Sequence, residues 1–273
     1  MSPRLAKALI NGFLIGGAVI ALFPLLWMVS ASFMQPGEAS ALPPPLWSAH
    51  ATMRNYQELF LRAGMGRYLL NSLLVSTAIT VLSLVFNLMA GYAFAKLRFA
   101  GRDRLFKVLL GMLIIPAQVA MLPLFLMLKY MGLVNSYGGV IVPAMATAFG
   151  TFLVRQYARG IPDELMEAAR IDGASELRIF VRIVMPLLKP IMVTLAIFTF
   201  LTAWNDFMWP LIVLTGQEHY TLPLGLASLS REHAQDSELM MAGSVITVLP
   251  VLVLFLALQR YYLEGLLLGS VKG

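Results

Sequence analysis

The sequence predicts an all-α integral membrane protein with six transmembrane helices and both ends in the cytoplasm. Of its 273 residues, 59% are hydrophobic and only 12% are charged, about half the charged share of an average soluble protein. Long uncharged runs also alternate with short charged segments along the whole chain. This alternation is typical of helices that cross a bilayer one after another.

Gaps between charged residues define the six predicted spans. A helix needs about 20 apolar residues to cross the hydrocarbon core, and backbone groups in lipid must be hydrogen-bonded within the segment. Runs of this length should therefore be helical. The predicted spans cover approximately residues 8–33, 68–95, 107–129, 137–156, 188–215 and 239–260. Together they form a single transmembrane domain, residues 1–273.

The first span is expected to be a retained anchor. Arg4 and Lys7 precede it, as basic residues precede the apolar part of a signal peptide. A signal core is only about 7 to 15 residues long, however, and the uncharged run here is roughly twice that.

The distribution of basic residues predicts the orientation. If the N-terminus is cytoplasmic, 15 of the 20 Lys and Arg residues lie on the inner side and 5 on the outer side. Short cytoplasmic loops carry an excess of Lys and Arg, so this count favours cytoplasmic N- and C-termini. The outer loops are then residues 34–67 and 216–238. Residues 55–60, "NYQELF", are either a short amphipathic helix or a plain loop.

The longest inner segment, residues 157–187, carries its own helix signals. Pro162 occupies a position suited to the first residue of a helix, and Gly173 is expected to end that helix. Ser175 can cap a second helix that runs to Pro186. The segment is therefore predicted to be a helix, a glycine turn and another helix. Because the first helix is only about ten residues long, it needs a surface on which to dock.

Catalytic and metal-binding patterns are scarce. The chain has no cysteine, and His50, His219 and His233 are scattered, so neither a thiolate site nor a histidine metal cluster is expected. The zinc-peptidase pattern HExxH and the ATP-binding pattern GxxxxGK[ST] are both absent. The basic residues follow the membrane sides, which argues against a nucleic-acid partner. We therefore expect a non-catalytic chain without a cofactor of its own.

One spaced motif resembles a known family. Glu167, Ala168 and Ala169 are followed after three residues by Gly173 and, after nine more, by the group Ile183, Met185 and Pro186. This is similar to the EAA loop of ABC importer permeases, except that Met185 replaces the usual leucine. "NSLLVS" at 71–76, "GYAFAKLRF" at 91–99 and "WNDFMWPLI" at 204–212 also resemble the carbohydrate-uptake branch. Within that branch, the chain looks like the second, shorter permease of the maltose-transporter type.

The resemblance implies a type I ABC importer permease fold and a multi-subunit assembly in the bacterial inner membrane. The implied partners are a second permease, two cytoplasmic ATPase subunits that bind ATP and Mg, and an extracytoplasmic sugar-binding protein. The implied ATPase-coupling residues are Glu167, Ala168, Ala169, Arg170, Asp172 and Gly173, with Ile183 and Pro186 in the second helix. The C-terminal tail, with Gly269, Ser270 and Lys272, either reaches the ATPases or is a frayed end.

Asp206 is an ionisable residue deep within a predicted span. A charge at a helix centre costs about 2.5 to 3.5 kcal/mol on insertion scales, so such residues usually have a role. Trp204 and Asn205 lie beside it. The three residues either line a sugar pathway or make a polar contact between helices.

Two other functions are alternatives to sugar import. An ion-coupled secondary transporter acting alone would normally carry ionisable relays or paired broken helices at the bilayer midplane, and the sequence offers one Asp. A permease for glycerol phosphate-like or other non-sugar solutes would use a similar scaffold. The sequence does not name the substrate.

Overall fold

The computed structural model describes the backbone of residues 3–232 and 236–268, and the regular elements within them are helices. The predicted all-α class is confirmed. The helices are α1 (Pro3–Ala31), α2 (Arg54–Leu61), α3 (Met65–Lys96), α4 (Arg102–Met112), α5 (Ala117–Tyr130), α6 (Tyr137–Ala144), α7 (Ala148–Ala158), α8 (Glu164–Ile171), α9 (Glu176–Ile179), α10 (Met185–Leu187), α11 (Lys189–Trp204), α12 (Met208–Val213), α13 (Leu222–Glu232) and α14 (Ser237–Leu268). A π-helical turn (Phe180–Val184) joins α9 to α10, and a 3₁₀ turn (Gln217–His219) follows α12.

Between four and six segments of the described residues are long and apolar enough to cross a membrane. Four qualify alone: Leu9–Ala31, Met65–Lys96, Tyr137–Ala158 and Ser237–Ala257. Two bent pairs qualify only when taken together: Arg102–Met112 with Ala117–Tyr130 at 104°, and Glu176–Leu187 with Lys189–Trp204 at 79°. The count of six spans and the positions of the termini stay predictions.

The third predicted span, residues 107–129, contains one of these bends. Pro116 has φ −59° and ψ 131°, which is an extended conformation directly before α5. Proline has no N–H to continue a helix, and its ring disfavours the helical conformation of Ile115 before it. The proline therefore accounts for the break between α4 and α5.

The chain divides into two compact units: Met1–Leu69 with Leu222–Pro250, and Leu70–Thr221 with Val251–Gly273. In the first unit, the side chain of Asn55 on α2 donates to the carbonyls of Ser32 and Met34, each at 2.9 Å. These bonds hold α2 against the residues that follow α1. Of the two predictions for residues 55–60, the short helix is therefore confirmed.

In the second unit, α3 and α7 pack closely together. A Cβ on Gly91 would lie 2.5 Å from a methyl group of Val154, so only glycine fits that position. The carbonyl oxygen of the Asn87 side chain accepts a hydrogen bond from the Thr151 hydroxyl at 3.0 Å. Small residues let membrane helices approach and polar side chains bond across them.

The core of this second unit continues into the 157–187 segment. Its buried residues include Leu88, Tyr92, Val154, Ala158, Met166, Ile179, Val184 and Leu195. They come from α3, α7, both helices of the segment and α11. The segment, called here the 157–187 hairpin, is therefore packed onto the apolar helices.

Candidate functional site

The first helix of the 157–187 hairpin ends at the predicted glycine. The amide of Ala174 donates to the carbonyl of Ala169 at 2.9 Å, and the amide of Gly173 donates to the carbonyl of Arg170 at 3.0 Å. This pair of bonds is a Schellman motif. Gly173 has φ +79°, a conformation that residues with a Cβ rarely adopt. The predicted end of the helix at Gly173 is confirmed, and the positive φ of this glycine explains it.

The start of this helix differs from the prediction. The carbonyl of Asp163 accepts from the amides of Met166 and Glu167, each at 3.0 Å. Helix α8 consequently begins at Glu164, and Pro162 precedes it by two residues instead of being its first residue. The missing N–H of Pro162 still costs no helical bond there.

The two sides of α8 have different environments. Met166 is 1% exposed, and with Ala169 it packs into the core of the unit. Leu165 is 46% exposed, Ile171 is 86% exposed, and Ala168 is exposed between them. Of the two predicted docking alanines, Ala169 thus faces the chain's own core and Ala168 faces outward. The helix presents apolar side chains to its surroundings.

The charged residues of the motif lie on the surface as well. Glu167, Arg170 and Asp172 are exposed. Glu167 and Arg170 share an open cavity of about 580 Å³ with residues at the end of α3, among them Lys96 and Arg98. The structure therefore brings the motif next to the "GYAFAKLRF" stretch.

An ion pair and a tyrosine hold the two helices of the hairpin against α3. The guanidinium of Arg170 donates from Nε to Glu176 Oε1 at 2.6 Å. The hydroxyl of Tyr92, on α3, donates to the other carboxylate oxygen of Glu176 at 2.9 Å. Glu176 therefore links α8, α9 and α3.

A second contact fixes the beginning of the hairpin. The ammonium of Lys96, in the last turn of α3, donates to Asp163 Oδ1 at 2.6 Å and to the carbonyl of Ile161. The Lys96 side chain is only 5% exposed. Its hydrogen bond and its charge lower the pKa of the Asp163 carboxyl below the ordinary value of 3.8. Asp163 is therefore ionised at neutral pH.

The second half of the hairpin leads into α11. The hydroxyl of Ser175 accepts from the amide of Arg178 at 3.4 Å, which confirms the predicted cap. Ile183 lies in the π turn and packs against the core, while Pro186 is exposed in α10. The segment from Glu176 to the end of α10 then meets α11 at 79°.

The three residues around Asp206 have separate environments. Trp204 is fully buried and stacks on the ring of Phe200, with 5.8 Å between the ring centroids. Asn205 is exposed at the end of α11. Asp206 Oδ1 accepts from the amide of Trp209 at 3.3 Å, so this bond bridges the break between α11 and α12 within one segment.

The predicted site residues thus fall into three groups. The motif residues lie together on the hairpin with Ile183 and Pro186. Trp204, Asn205 and Asp206 lie at the far end of α11. Gly269, Ser270 and Lys272 lie outside the described residues, and their contact with ATPases stays a prediction.

Residues 87–263 match the model of the "binding-protein-dependent transport system inner membrane component" family. The chain belongs to this family. Members are components of transport systems, and the predicted membership in the ABC importer permeases is confirmed.

Individual relatives of this inner membrane component cover nearly its whole length. It is 42% identical to an arabinooligosaccharides transport system permease protein of Halalkalibacterium halodurans, over 100% of this chain and 98% of that one. It is 34% identical to a diacetylchitobiose uptake system permease protein of Streptomyces coelicolor, over 95% and 87% of the two chains. A chain of a bacterial ABC transporter involved in the import of alginate has the same fold, with a TM-score of 0.84, 22% identity and coverage of 96% and 98%. The predicted type I importer permease fold is therefore confirmed.

The sequence did not reveal which residues of this inner membrane component hold the hairpin. Tyr92 and Lys96 lie 84 and 67 positions from their partners Glu176 and Asp163. Both occur in "GYAFAKLRF" at an i, i+4 spacing, which places them on one side of α3. This spacing indicates that Tyr92 and Lys96 can act on one surface, but it does not identify the carboxylates that they contact.

Proposed function

We propose that this chain is one of two membrane subunits of an ATP-driven sugar importer and that its hairpin couples ATP hydrolysis to transport. In this assembly, a second permease completes the translocation pathway. Two cytoplasmic ATPase subunits bind ATP and Mg, and a soluble binding protein delivers the sugar from outside. The chain itself carries out no chemical step.

The exposed apolar side of α8 carries this proposal. Leu165 and Ile171 are exposed at the surface of a hairpin that is otherwise rich in charged residues. A short helix with such a face suits docking into a groove of another protein. Burying a side chain of this size contributes about 1.5 to 3 kcal/mol. Membership in a family of transport-system components supports an energy source in a partner subunit.

The contacts of the hairpin suggest how a movement of the ATPases would reach the membrane helices. A push on α8 acts on Met166, which is anchored in the core. It also acts through Arg170 and Glu176 on Tyr92 of α3. The second half of the hairpin continues into α11 through the 79° bend. Closure of the ATPase dimer would thus tilt α3 and α11 together and alternate access to the pathway.

The proposed topology has six spans with both termini in the cytoplasm. The excess of Lys and Arg in the loops on the predicted inner side of the membrane supports this topology. It places the hairpin on the cytoplasmic side, where the ATPases lie. The proposed location is the bacterial inner membrane.

The substrate is proposed to be a sugar. The supporting observation is that the relatives reported above are named for arabinooligosaccharides and diacetylchitobiose. Both names refer to oligosaccharides that those proteins transport. We therefore propose an oligosaccharide as the substrate class of this chain.

Substituting Gly173 by valine tests the coupling role of the hairpin. A Cβ at φ +79° strains the backbone, although nothing lies within 4 Å of the position where it would be. Strain of this kind costs about 1 to 3 kcal/mol. We expect the uptake per ATP hydrolysed by the assembled transporter in proteoliposomes to fall about tenfold or more. Gly173→Asn should lose less, since asparagine tolerates this conformation better.

Gly101 provides the matched control. It has φ +81° and open space around it, and it lies in another predicted inner loop. Gly101→Val should leave the uptake per ATP hydrolysed close to that of the wild type. Equal losses in the two valine variants would contradict a specific coupling role for the hairpin. Uptake by this chain alone under an ion gradient would contradict ATP-driven import.

A further inference from the structure

The end of α11 exposes polar side chains in a segment that is otherwise apolar. Thr202 and Asn205 are exposed, and the ring of Phe198, one turn earlier, is 53% exposed. Asp206 follows at the break before α12. Polar groups in a membrane helix usually face protein or a water-filled cavity because lipid offers them no hydrogen bonds. This face therefore suits an occupant that offers hydrogen bonds better than it suits lipid.

The hydrogen bonds of these residues determine what they can still bind. Thr202 donates its hydroxyl to the carbonyl of Phe198 at 2.8 Å, and Asn205 donates from its amide to the carbonyl of Leu201 at 2.8 Å. Their side-chain oxygens, and the carboxylate of Asp206, act as acceptors. A face rich in acceptor oxygens suits a ligand with many O–H donors and disfavours an anion.

A cavity of about 180 Å³ opens beside this face, within the unit Leu70–Thr221. Its lining includes Val140, Thr147, Phe198, Thr202, Asp206 and Trp209. Thr147 and Asp206 lie at two interruptions, between α6 and α7 and between α11 and α12, and the other residues lie on the helices that flank them. Irregular backbone at membrane depth is tolerated where it is buried in protein or lines a cavity, and transporters place substrate sites at such breaks.

We propose that this cavity, with the face formed by Phe198, Thr202, Asn205 and Asp206, is a subsite for one sugar unit of a neutral oligosaccharide. The acceptor oxygens would bind sugar hydroxyls, and the exposed Phe198 ring would cover an apolar sugar face. The volume is smaller than the roughly 300 to 1,000 Å³ of sites that enclose a drug-sized ligand, so the cavity takes part of the chain and leaves the rest outside. The inference rests on the proposed function and adds a direct contact between this subunit and the substrate.

Thiol labelling tests the subsite, because the chain contains no cysteine of its own. Thr202→Cys and Asn205→Cys are made separately in the transporter assembled with its partner permease, ATPases and binding protein, whose cysteines are removed. Each variant is treated in proteoliposomes with a water-soluble maleimide. Arabinotriose is the sugar probe, and its ATP-dependent uptake by the wild type is measured first. Val253→Cys is the control, since Val253 is 59% exposed on the predicted sixth span.

We expect Thr202→Cys, which lies in the cavity lining, and Asn205→Cys, which lies on the adjoining face, to be labelled at least tenfold faster than Val253→Cys. During turnover with binding protein and ATP, arabinotriose should slow their labelling at least fivefold. Absence of labelling in both variants, with ATPase activity retained, would show that the partner permease covers this face and would overturn the proposal. Labelling that arabinotriose does not slow would overturn it too. Absence of any arabinotriose uptake by the wild type would instead count against the proposed function.

Discussion

The 157–187 hairpin and the cavity beside Asp206 differ from their surroundings in opposite ways. The hairpin is rich in charged residues, yet it exposes Leu165 and Ile171. The end of α11 lies in an apolar segment, yet it exposes Thr202 and Asn205. In the proposed topology, the first surface meets water and the second lies within the membrane.

The difference indicates two kinds of occupant. Apolar side chains exposed in water gain free energy when another protein covers them. Polar side chains exposed at membrane depth gain it when they meet water or a hydrogen-bonding ligand. The hairpin therefore fits a protein partner, and the cavity fits a hydroxylated substrate.

The largest effect is expected from placing a charge on the exposed apolar side of α8. Ile171→Glu removes a side chain worth about 1.5 to 3 kcal/mol when buried, so we expect co-purification of the ATPase subunits to fall about tenfold or more. Leu61→Glu is the matched control, because Leu61 is 83% exposed, close to the 86% of Ile171, and lies on the predicted outer side. If the ATPase subunits co-purified equally with both variants, the exposed side of α8 would not be their docking surface.

A smaller effect is expected from weakening the link between the hairpin and α3. Glu176→Gln removes the charge that Arg170 and Tyr92 contact. Both members of the ion pair are more than a third exposed, so we expect about a two- to fivefold fall in sugar taken up per ATP hydrolysed. Glu164→Gln, which removes another exposed carboxylate from the same hairpin, should leave that ratio unchanged. A similar fall in both variants would indicate a general charge effect.

The smallest effect is expected at Asp163. Lys96 lowers the pKa of this carboxyl below 3.8, so the ion pair contributes stability above that pH and loses it as the pH falls through the lowered value. Lys96 is only 5% exposed, but Asp163 is 72% exposed and the side-chain oxygen of asparagine can still accept from Lys96, so Asp163→Asn should lower the apparent melting temperature of the assembly by about 2 °C or less. The difference from wild type should be the same at pH 8 and pH 5. A difference that disappears at pH 5 would contradict the lowered pKa.

Local signals in the sequence predicted the local structure of the hairpin well. Gly173 ends α8 because its φ is positive, and Ser175 caps the next helix, both as expected from residue type. The start of α8 was misplaced by two residues, because a proline near a helix start fits several positions. Uncharged runs do not reveal the bend at Pro116, because a proline interrupts a helix without adding a charge.

The site depends on contacts that the sequence pattern does not contain. Helix α8 has only eight residues, too few for a periodic pattern to show that Met166 faces inward and Ile171 outward. The pairing of Tyr92 with Glu176 depends on how α3 packs against the hairpin. For Asp206, the sequence left a sugar pathway and an interhelical contact open, and the cavity became visible only with both helix breaks in place.

In the proposed function, the bend between the hairpin and α11 would act as a lever. Helix α11 has 16 residues and is therefore about 24 Å long, with Thr202 near the end far from the bend. Turning such an arm by about 10° at the bend moves its far end sideways by roughly 4 Å. That distance is about the separation of two carbon atoms in contact, so a small rotation is enough to open or close a gap one atom wide.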